Sequence, residues 1–272
     1  MAPKKTSAKS GDRAAKIRAA LEKAYKPKAT RGAGERPHVS LCGGTACDVS
    51  GAATLGEAVR DELEKHGLAG KVDIVESGCH GFCAEGPIMV LRPQGIFYPR
   101  VKPRDVPVIV ETSIVGDGVV EKLLYRDPAT GEPISDERAI PFYAGQVRRV
   151  LANLGIVDPT CIDDYLARDG YAALAMVLAD DDPEGVIAEV EAAGLRGRGG
   201  GGFPTGKKWR RCRETPGDRR YVVCNGDEGD PGAFLDRSLL EGDPHAVIEG
   251  LLIAAFAVGA DQAYIYTRQD YA

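Results

Sequence analysis

The sequence predicts an α/β protein of two unlike domains, and three observations carry that reading. The chain has 272 residues, 43% of them apolar, enough for about two domains each with a buried core. Helical stripes alternate with short apolar strands in both halves. The residues that carry chemistry also change along the chain, from paired cysteines in the first half to a glycine-rich loop and an acidic loop in the second.

Residues 1–36 form a basic arm. Residues 1 to 39 hold 11 Lys or Arg against 3 Asp or Glu, a net +8, while the whole chain is −5 and the remainder therefore −13. Asp12 to Lys26 can form a short helix. Without interleaved aromatics beyond Tyr25 the arm does not read as a nucleic-acid binder, and scarce serine argues against a transit peptide. Docking on a partner subunit is its expected role.

Residues 37–124 form the first domain. Ala52 to His66 is an amphipathic helix with Leu55, Val59 and Leu63 on one stripe. Val72 to Val75 is a short strand, Pro87 to Leu91 and Gly95 to Val101 a hairpin around Arg92-Pro-Gln-Gly95, and Asp105 to Ser113 a closing helix. That order is thioredoxin-like. Residues 125–180 are a connector, polar and Pro/Gly-containing over Tyr125 to Ile140, then helical over Pro141 to Leu154 and Ile162 to Ala179. In residues 181–272, Pro183 to Ala193 is a helix, Tyr221-Val-Val a short strand, Pro244 to Val258 a buried core helix opened by Asp243-Pro244, and Gln262 to Thr267 a strand. The longest apolar run, Val247 to Val258, is interrupted by Glu249 and Gly250 and falls well short of the ~20 residues of a membrane span. The chain is expected to be soluble and cytoplasmic.

Four of the 7 cysteines make a pattern. Cys42-x₄-Cys47 and Cys79-x₃-Cys83 each lie in a glycine-rich turn, Leu41-Cys-Gly-Gly-Thr-Ala-Cys47 and Ser77-Gly-Cys-His-Gly-Phe-Cys83, where backbone amides can donate to sulfur. Four thiolates fit one metal centre, and structural zinc is an alternative to iron. Disulfides fit poorly, since no secretory signal is present and Cys161, Cys212 and Cys224 are left over. Those three read as structural, Cys224 as a small buried apolar residue. His80 lies between two cysteines, but with four thiols at hand no Rieske-type substitution is called for. His38, His66 and His245 are isolated, with surface or capping roles expected.

In Gly194-Leu-Arg-Gly-Arg-Gly-Gly-Gly-Gly-Phe-Pro-Thr-Gly-Lys-Lys-Trp209, the glycines at 197, 199, 200, 201, 202 and 206 can bring backbone N–H groups against an anion. Gly201, Gly206 and Lys207 nearly fit a nucleotide P-loop, but Lys208 stands where a Ser or Thr would bind Mg²⁺. A helix rather than a strand precedes the loop, which disfavours a Rossmann fingerprint. Phe203, Pro204 and Trp209 do not belong in a flexible linker. The second loop, Cys224-Asn-Gly-Asp-Glu-Gly-Asp-Pro-Gly232, offers Asn225, Asp227 and Glu228 as acceptors for sugar hydroxyls and a ring N–H; a solvated turn with an Asx motif is the plain alternative.

Together these two loops resemble the flavin subunit of respiratory complex I, the 51-kDa or F-type family, and most resemble the beta subunits of NAD-linked, electron-bifurcating hydrogenases and formate dehydrogenases. The resemblance implies that Gly197, Arg198, Gly199, Gly200, Gly201, Gly202, Gly206 and Lys208, with Asn225, Asp227 and Glu228, hold FMN. It implies that Phe203 stacks on NAD(H), with Asp230 nearby. Residues 38 to 113 resemble the thioredoxin-like 2Fe-2S ferredoxins related to the complex I 24-kDa subunit, which makes Cys42, Cys47, Cys79 and Cys83 the ligands of a 2Fe-2S cluster. The fold expected is therefore a thioredoxin-like 2Fe-2S domain followed by the N-terminal part of the 51-kDa α/β FMN-binding fold. Relatives of the flavin subunit continue with a segment holding a 4Fe-4S cluster, so the chain reads as a C-terminally truncated fragment. The implied activity is an NADH dehydrogenase type of oxidoreductase in which a hydride passes between NAD(H) and FMN and electrons leave singly through clusters, with no catalytic acid or base. Its implied partners are a 24-kDa-like ferredoxin subunit and a hydrogenase or formate dehydrogenase catalytic subunit. A ferredoxin-like electron-transfer or scaffold protein with a vestigial flavin half is the alternative.

Overall fold

The computed structural model describes residues 37–230 and 232–269, together with Asp12, residues 15–20 and Lys23. Residues 15–20 are helical; the rest of the basic arm lies outside the described residues. The chain divides into two compact units, one made of Lys28–Arg168 with Ser238–Pro244, the other of Asp169–Arg237 and His245–Ala272 with Met1–Pro27.

The first unit is built on a four-stranded sheet in the order β2-β1-β3-β4. Strand β1 (His38–Cys42) runs parallel to β2 (Asp73–Ser77) and antiparallel to β3 (Met89–Arg92), which forms a hairpin with β4 (Ile96–Tyr98). Helix α1 (Thr45–Val49) follows β1, and α2 (Ala52–Lys65) crosses back to β2. Side chains along the strands alternate between two cores, as the pleat requires. Val39, Leu41, Met89 and Leu91 pack with Leu55, Val59 and Leu63 of α2 and with Val106 and Ile109 of α3 (Val106–Ile109), which continues as a π-helical turn to Val115. Val90 and Phe97 face the other way, into a core with Cys42, Cys47, Ile88, Tyr125 and Ile140.

That second core changes the reading of the connector. Residues 125–140, polar by composition, form a short hairpin, β5 (Tyr125–Arg126) with β6 (Pro133–Ile134), and bury Tyr125 and Ile140 beside two of the paired cysteines. The continuous helix expected over Pro141 to Leu154 is only α4 (Pro141–Ala144); turns follow, then α5 (Ile162–Leu166) and α6 (Ala172–Asp180). Glycines at 145 and 155 and the Asp158-Pro159 pair break the pattern.

In the second unit, α7 (Pro183–Ala192) and α8 (Thr205–Glu214) flank the glycine loop. Strand β7 (Tyr221–Gly226) pairs in parallel with β8 (Gln262–Thr267); between them in sequence lie α9 (Leu235–Gly242), whose residues from Ser238 on are grouped with the first unit, and α10 (Pro244–Val258). Helix α10 keeps the expected bounds but is only partly buried. Ala254, Ala257 and Val258 are covered, while Leu252 is exposed. Glu249 is buried because its carboxylate accepts from the N–H groups of Tyr171 (2.8 Å) and Leu174 (3.0 Å) at the start of α6. No helix among the described residues is long and apolar enough to cross a membrane.

Candidate functional site

The four patterned cysteines come from three local structures. Cys42 ends β1, Cys47 lies in α1, and Cys79 and Cys83 bracket the turn after β2. Cys42 and Cys47 are 2% and 1% exposed, Cys79 is half-buried and Cys83 exposed, so one end of the site reaches the surface. The thiols act on one another in a line, Cys47 on Cys42, Cys42 on Cys79 and Cys79 on Cys83. All 7 cysteines are free thiols. Among the described residues, no three His, Cys, Asp or Glu side chains are arranged to hold a single metal ion.

Electrostatics within this line is uneven. The hydrogen bond with Cys47 is the main reason that the Cys42 thiol is pushed up to about 11, while the same bond holds Cys47 below its ordinary value. Cys79 is raised chiefly by its hydrogen bond with Cys42, and Cys83 chiefly by burial. Amide hydrogens offset the crowding. The N–H of Gly81 donates to Cys79 Sγ at 3.3 Å, that of His80 reaches Cys42, and that of Ile88 reaches Cys47. Such donors stabilise thiolate and cluster charge alike.

Glycine makes room for the sulfurs. A Cβ at Gly44 would lie 2.9 Å from Cys79 Sγ, and one at Gly86 would lie 2.7 Å from Cys47 Sγ. Neither position needs glycine for its backbone, since φ is −68° at Gly44 and −72° at Gly86. Four sulfurs with converging amides and a wall cleared of side chains fit the demands of a Cys₄-ligated 2Fe-2S cluster.

His80 faces away from ligand duty. Its Nε2 is 3.2 Å from Ser77 Oγ, which pairs in turn with Ser40 Oγ at 3.2 Å, and its ring is so close to Gly155 that a Cβ there would be 2.9 Å from it. Burial, with the charges of Arg92 and Arg148, pushes its pKa down to about 3, so it is a neutral brace for the ligand turn. Of the other histidines, His66 ends α2 3.4 Å from Glu62, and His245 Nδ1 is 3.0 Å from Tyr171 Oη. His38, expected at the surface or at a cap, is instead buried in the central strand.

The glycine loop is open. It is closed at its base by Gly197 N–H to Phe203 O (2.9 Å), Thr205 N–H to Leu195 O (2.9 Å) and Arg196 Nη1 to Gly202 O (3.0 Å). Gly200 and Gly202 have positive φ, 89° and 58°, which explains glycine there. Gly199 and Gly201 do not, and a Cβ at either would meet no atom within 4 Å. Phe203 is 57% exposed, and Arg198 and Lys208 are exposed as well. Gly206 differs from the rest of the set. A Cβ there would come within 2.8 Å of Glu191 N, so its glycine is set by the approach of α8 to α7. That contact is fastened by Arg210, which donates to both carboxylate oxygens of Glu191 at 3.0 and 2.8 Å.

The acidic loop leaves the C-terminal end of β7, the end at which open α/β sheets take ligands. Strand β7 itself extends through Cys224, Asn225 and Gly226, which the sequence placed in the loop; Cys224 is half-buried rather than buried. Asn225 Oδ1 accepts from Asp227 N–H at 2.9 Å, the Asx motif considered above. The Glu228 carboxylate accepts from the N–H groups of Leu235 (2.7 Å), Asp236 (3.1 Å) and Arg237 (3.2 Å), capping α9. Asp227 and Asp230 stay exposed. Sequence reasoning did not find Tyr143 and Arg148, which border the cysteine site; one residue on the single-turn helix α4 and one in the irregular segment after it leave no periodic signal.

Comparison with protein families fits both halves. Residues 23–113 match the thioredoxin-like [2Fe-2S] ferredoxin family and residues 190–272 match the Nuo51 FMN-binding domain. The two matched segments are a thioredoxin-like [2Fe-2S] ferredoxin domain and a Nuo51 FMN-binding domain. Its ferredoxin domain is 30% identical to the crystallised thioredoxin-like [2Fe-2S] ferredoxin from Aquifex aeolicus, an alignment covering 35% of this chain and 100% of that one with a TM-score of 0.31. Over 126 residues the chain is 49% identical to the NADP-reducing hydrogenase subunit HndC of Solidesulfovibrio fructosivorans, covering 46% of this chain and 25% of that one. A match spanning both domains is the NAD-reducing hydrogenase HoxS subunit alpha of Cupriavidus necator, 30% identical over 240 residues, 86% of this chain and 37% of that one. The chain thus spans about a quarter to somewhat over a third of the length of these curated relatives.

Proposed function

We propose that this chain is the FMN and 2Fe-2S portion of an NADH-oxidising or NAD-reducing oxidoreductase subunit. The observation that carries the reading is glycine at 199 and 201, where neither backbone conformation nor any neighbouring atom of the chain calls for it. Glycine there serves a group from outside that approaches the backbone closely, as a phosphate does.

In this reading Gly197, Gly199, Gly200, Gly201 and Gly202 hold the FMN phosphate through their N–H groups, with Arg198 and Lys208 supplying charge and the uncapped N-terminus of α8 adding its dipole. Gly206 contributes by letting α8 seat against α7. Asn225, Asp227 and Glu228 accept from the ribityl and ring groups, Glu228 turning from its capping role to do so. Phe203, exposed on the loop, stacks on NAD(H), with Asp230 beside it. Cys42, Cys47, Cys79 and Cys83 hold the cluster. When bound, FMN exchanges a hydride with NAD(H) and hands electrons on singly, and the chain's part is placement and polarity rather than proton transfer. The domain limits that follow are 37–124 for the ferredoxin, 125–180 for the connector and 181–272 for the flavin part.

The partners proposed are further redox subunits, of the hydrogenase, formate dehydrogenase or complex I kind, in keeping with the names of the relatives. Four thiols kept reduced for metal fit a cytoplasmic setting. One observation favours a second reading, an electron-transfer or scaffold protein with a vestigial flavin half: Asn225 and Glu228 already spend their acceptors inside the chain.

Anaerobic reconstitution of the chain with iron, sulfide and FMN, followed by absorbance and EPR, separates these. Cys79→Ser is expected to abolish the 2Fe-2S spectrum and leave flavin uptake intact, and Lys208→Ala to do the reverse. Retention of the 2Fe-2S signal with no flavin uptake by the unaltered chain selects the second reading.

A further inference from the structure

The segment after the ferredoxin fold lies over the cysteine site. Phe142 stacks on Phe82, the residue before Cys83, with ring centroids 4.2 Å apart and planes at 10°. Tyr143 packs edge-on against Phe82 (5.9 Å), Phe97 (5.8 Å) and Phe142 (5.1 Å), in contact with the core that contains Cys42 and Cys47. Arg148 holds the arrangement from outside. Its guanidinium is 5.0 Å from the centre of the Tyr143 ring and donates to the carbonyl of His80, between two ligands, at 2.9 Å.

One atom in this cap is unaccounted for. The Tyr143 hydroxyl is buried and has no hydrogen-bond partner within the chain. A buried phenol ordinarily finds one, because an unpaired buried hydroxyl is costly. Burial is the main cause of its raised pKa, opposed by the charge of Arg148; the ring itself packs against the core that holds Cys42 and Cys47.

We infer that the Tyr143 hydroxyl is a hydrogen-bond donor to the sulfurs of the cluster held by Cys42, Cys47, Cys79 and Cys83, a partner supplied only when the cluster is present. This rests on the reading of those four cysteines as 2Fe-2S ligands. Tyr143 is thus a positioning residue outside the ferredoxin fold proper that sets how readily the cluster accepts an electron, since a donor to sulfur stabilises the more negative, reduced state. Arg148 acts through it, fixing the ring and the ligand turn together.

The test is Tyr143→Phe, which removes only the hydroxyl, compared with the unaltered chain after reconstitution with iron and sulfide. In an EPR-monitored redox titration the variant is expected to keep its cluster but shift the reduction equilibrium about tenfold toward the oxidised form, about 59 mV lower for one electron. Part of the H/D sensitivity of the Fe–S stretching bands in resonance Raman spectra should vanish with it. The cluster-free variant should melt no lower than the cluster-free parent, because its hydroxyl had no partner to lose. An unchanged potential and isotope shift would overturn the inference, as would loss of the cluster or a lower melting temperature in the variant, either of which makes Tyr143 a structural residue. An unaltered chain that takes up iron and sulfide without a 2Fe-2S spectrum would instead overturn the reading beneath it.

Discussion

At Gly44 and Gly86 a methyl group would land on a cysteine sulfur, at 2.9 and 2.7 Å, whereas at Gly199 and Gly201 it would meet no atom of the chain within 4 Å. None of the four glycines has a positive φ. Conformation therefore explains none of them, and the two pairs answer to different neighbours. In the ferredoxin domain the space is claimed by the chain's own sulfurs. In the FMN-binding domain no atom of the chain claims the space, which in the proposed function goes to a bound phosphate. A thiolate site needs converging side chains and so grows on a buried core; an anion loop needs only backbone amides and can stand open.

The comparison breaks most visibly at Gly86. An alanine there suits the backbone but overlaps Cys47 Sγ, and Gly86→Ala is expected to prevent 2Fe-2S assembly altogether, read as loss of the visible and EPR spectra after reconstitution. Next in size is the glycine loop. Gly199→Ala and Gly201→Ala are expected to leave the melting temperature within about 1 °C of the parent, since a surface change of this kind is worth within about ±0.5 kcal/mol, while FMN affinity by fluorescence titration falls about tenfold or more, the loss of about 1.4 kcal/mol or more of binding. A stable protein with unaltered FMN affinity would leave those glycines without a role.

Two further changes sharpen the contrast by probing framework alone. Glu249 is buried and bonded to two α6 amides, so Glu249→Ala is expected to lower stability by about 1–3 kcal/mol in denaturant titration, with cluster assembly unaffected. The smallest effect concerns Glu191, which the hydrogen bonds from Arg210 hold below its ordinary value of 4.5. A depressed carboxylate pKa gives stability that is complete above the ordinary value and is lost as pH falls through the depressed one. Glu191→Gln should therefore flatten the decline of melting temperature below about pH 4.5 and alter little at neutral pH.

Much of this architecture could be read from residues alone. The cysteine spacing, the stripe Leu55, Val59 and Leu63, the hairpin at Gly95 and the bounds of α10 and β8 were legible because each is a local pattern. Strand β1 was not, being five buried residues with no alternation to mark it. Tyr125 to Ile140 was read as a polar connector and Pro141 to Leu154 as helical, yet together they supply Tyr125, Ile140 and Tyr143 to the core around the cysteines. Residues 125, 140 and 143 share neither a helical nor a strand period, and only tertiary contact reveals them. The acidic loop was legible in composition but not in use. Whether the Glu228 carboxylate serves a ligand or the N-terminus of α9 depends on where the chain turns next, which composition does not record.

The most direct test of two redox groups on one chain is the cofactor content of the protein isolated anaerobically, by metal analysis, acid-labile sulfide and extracted flavin. The account predicts about two iron, two sulfide and one FMN per chain, the first pair lost in Cys79→Ser and the flavin lost in Lys208→Ala. Zinc in place of iron, or both groups vanishing together in either variant, would contradict it.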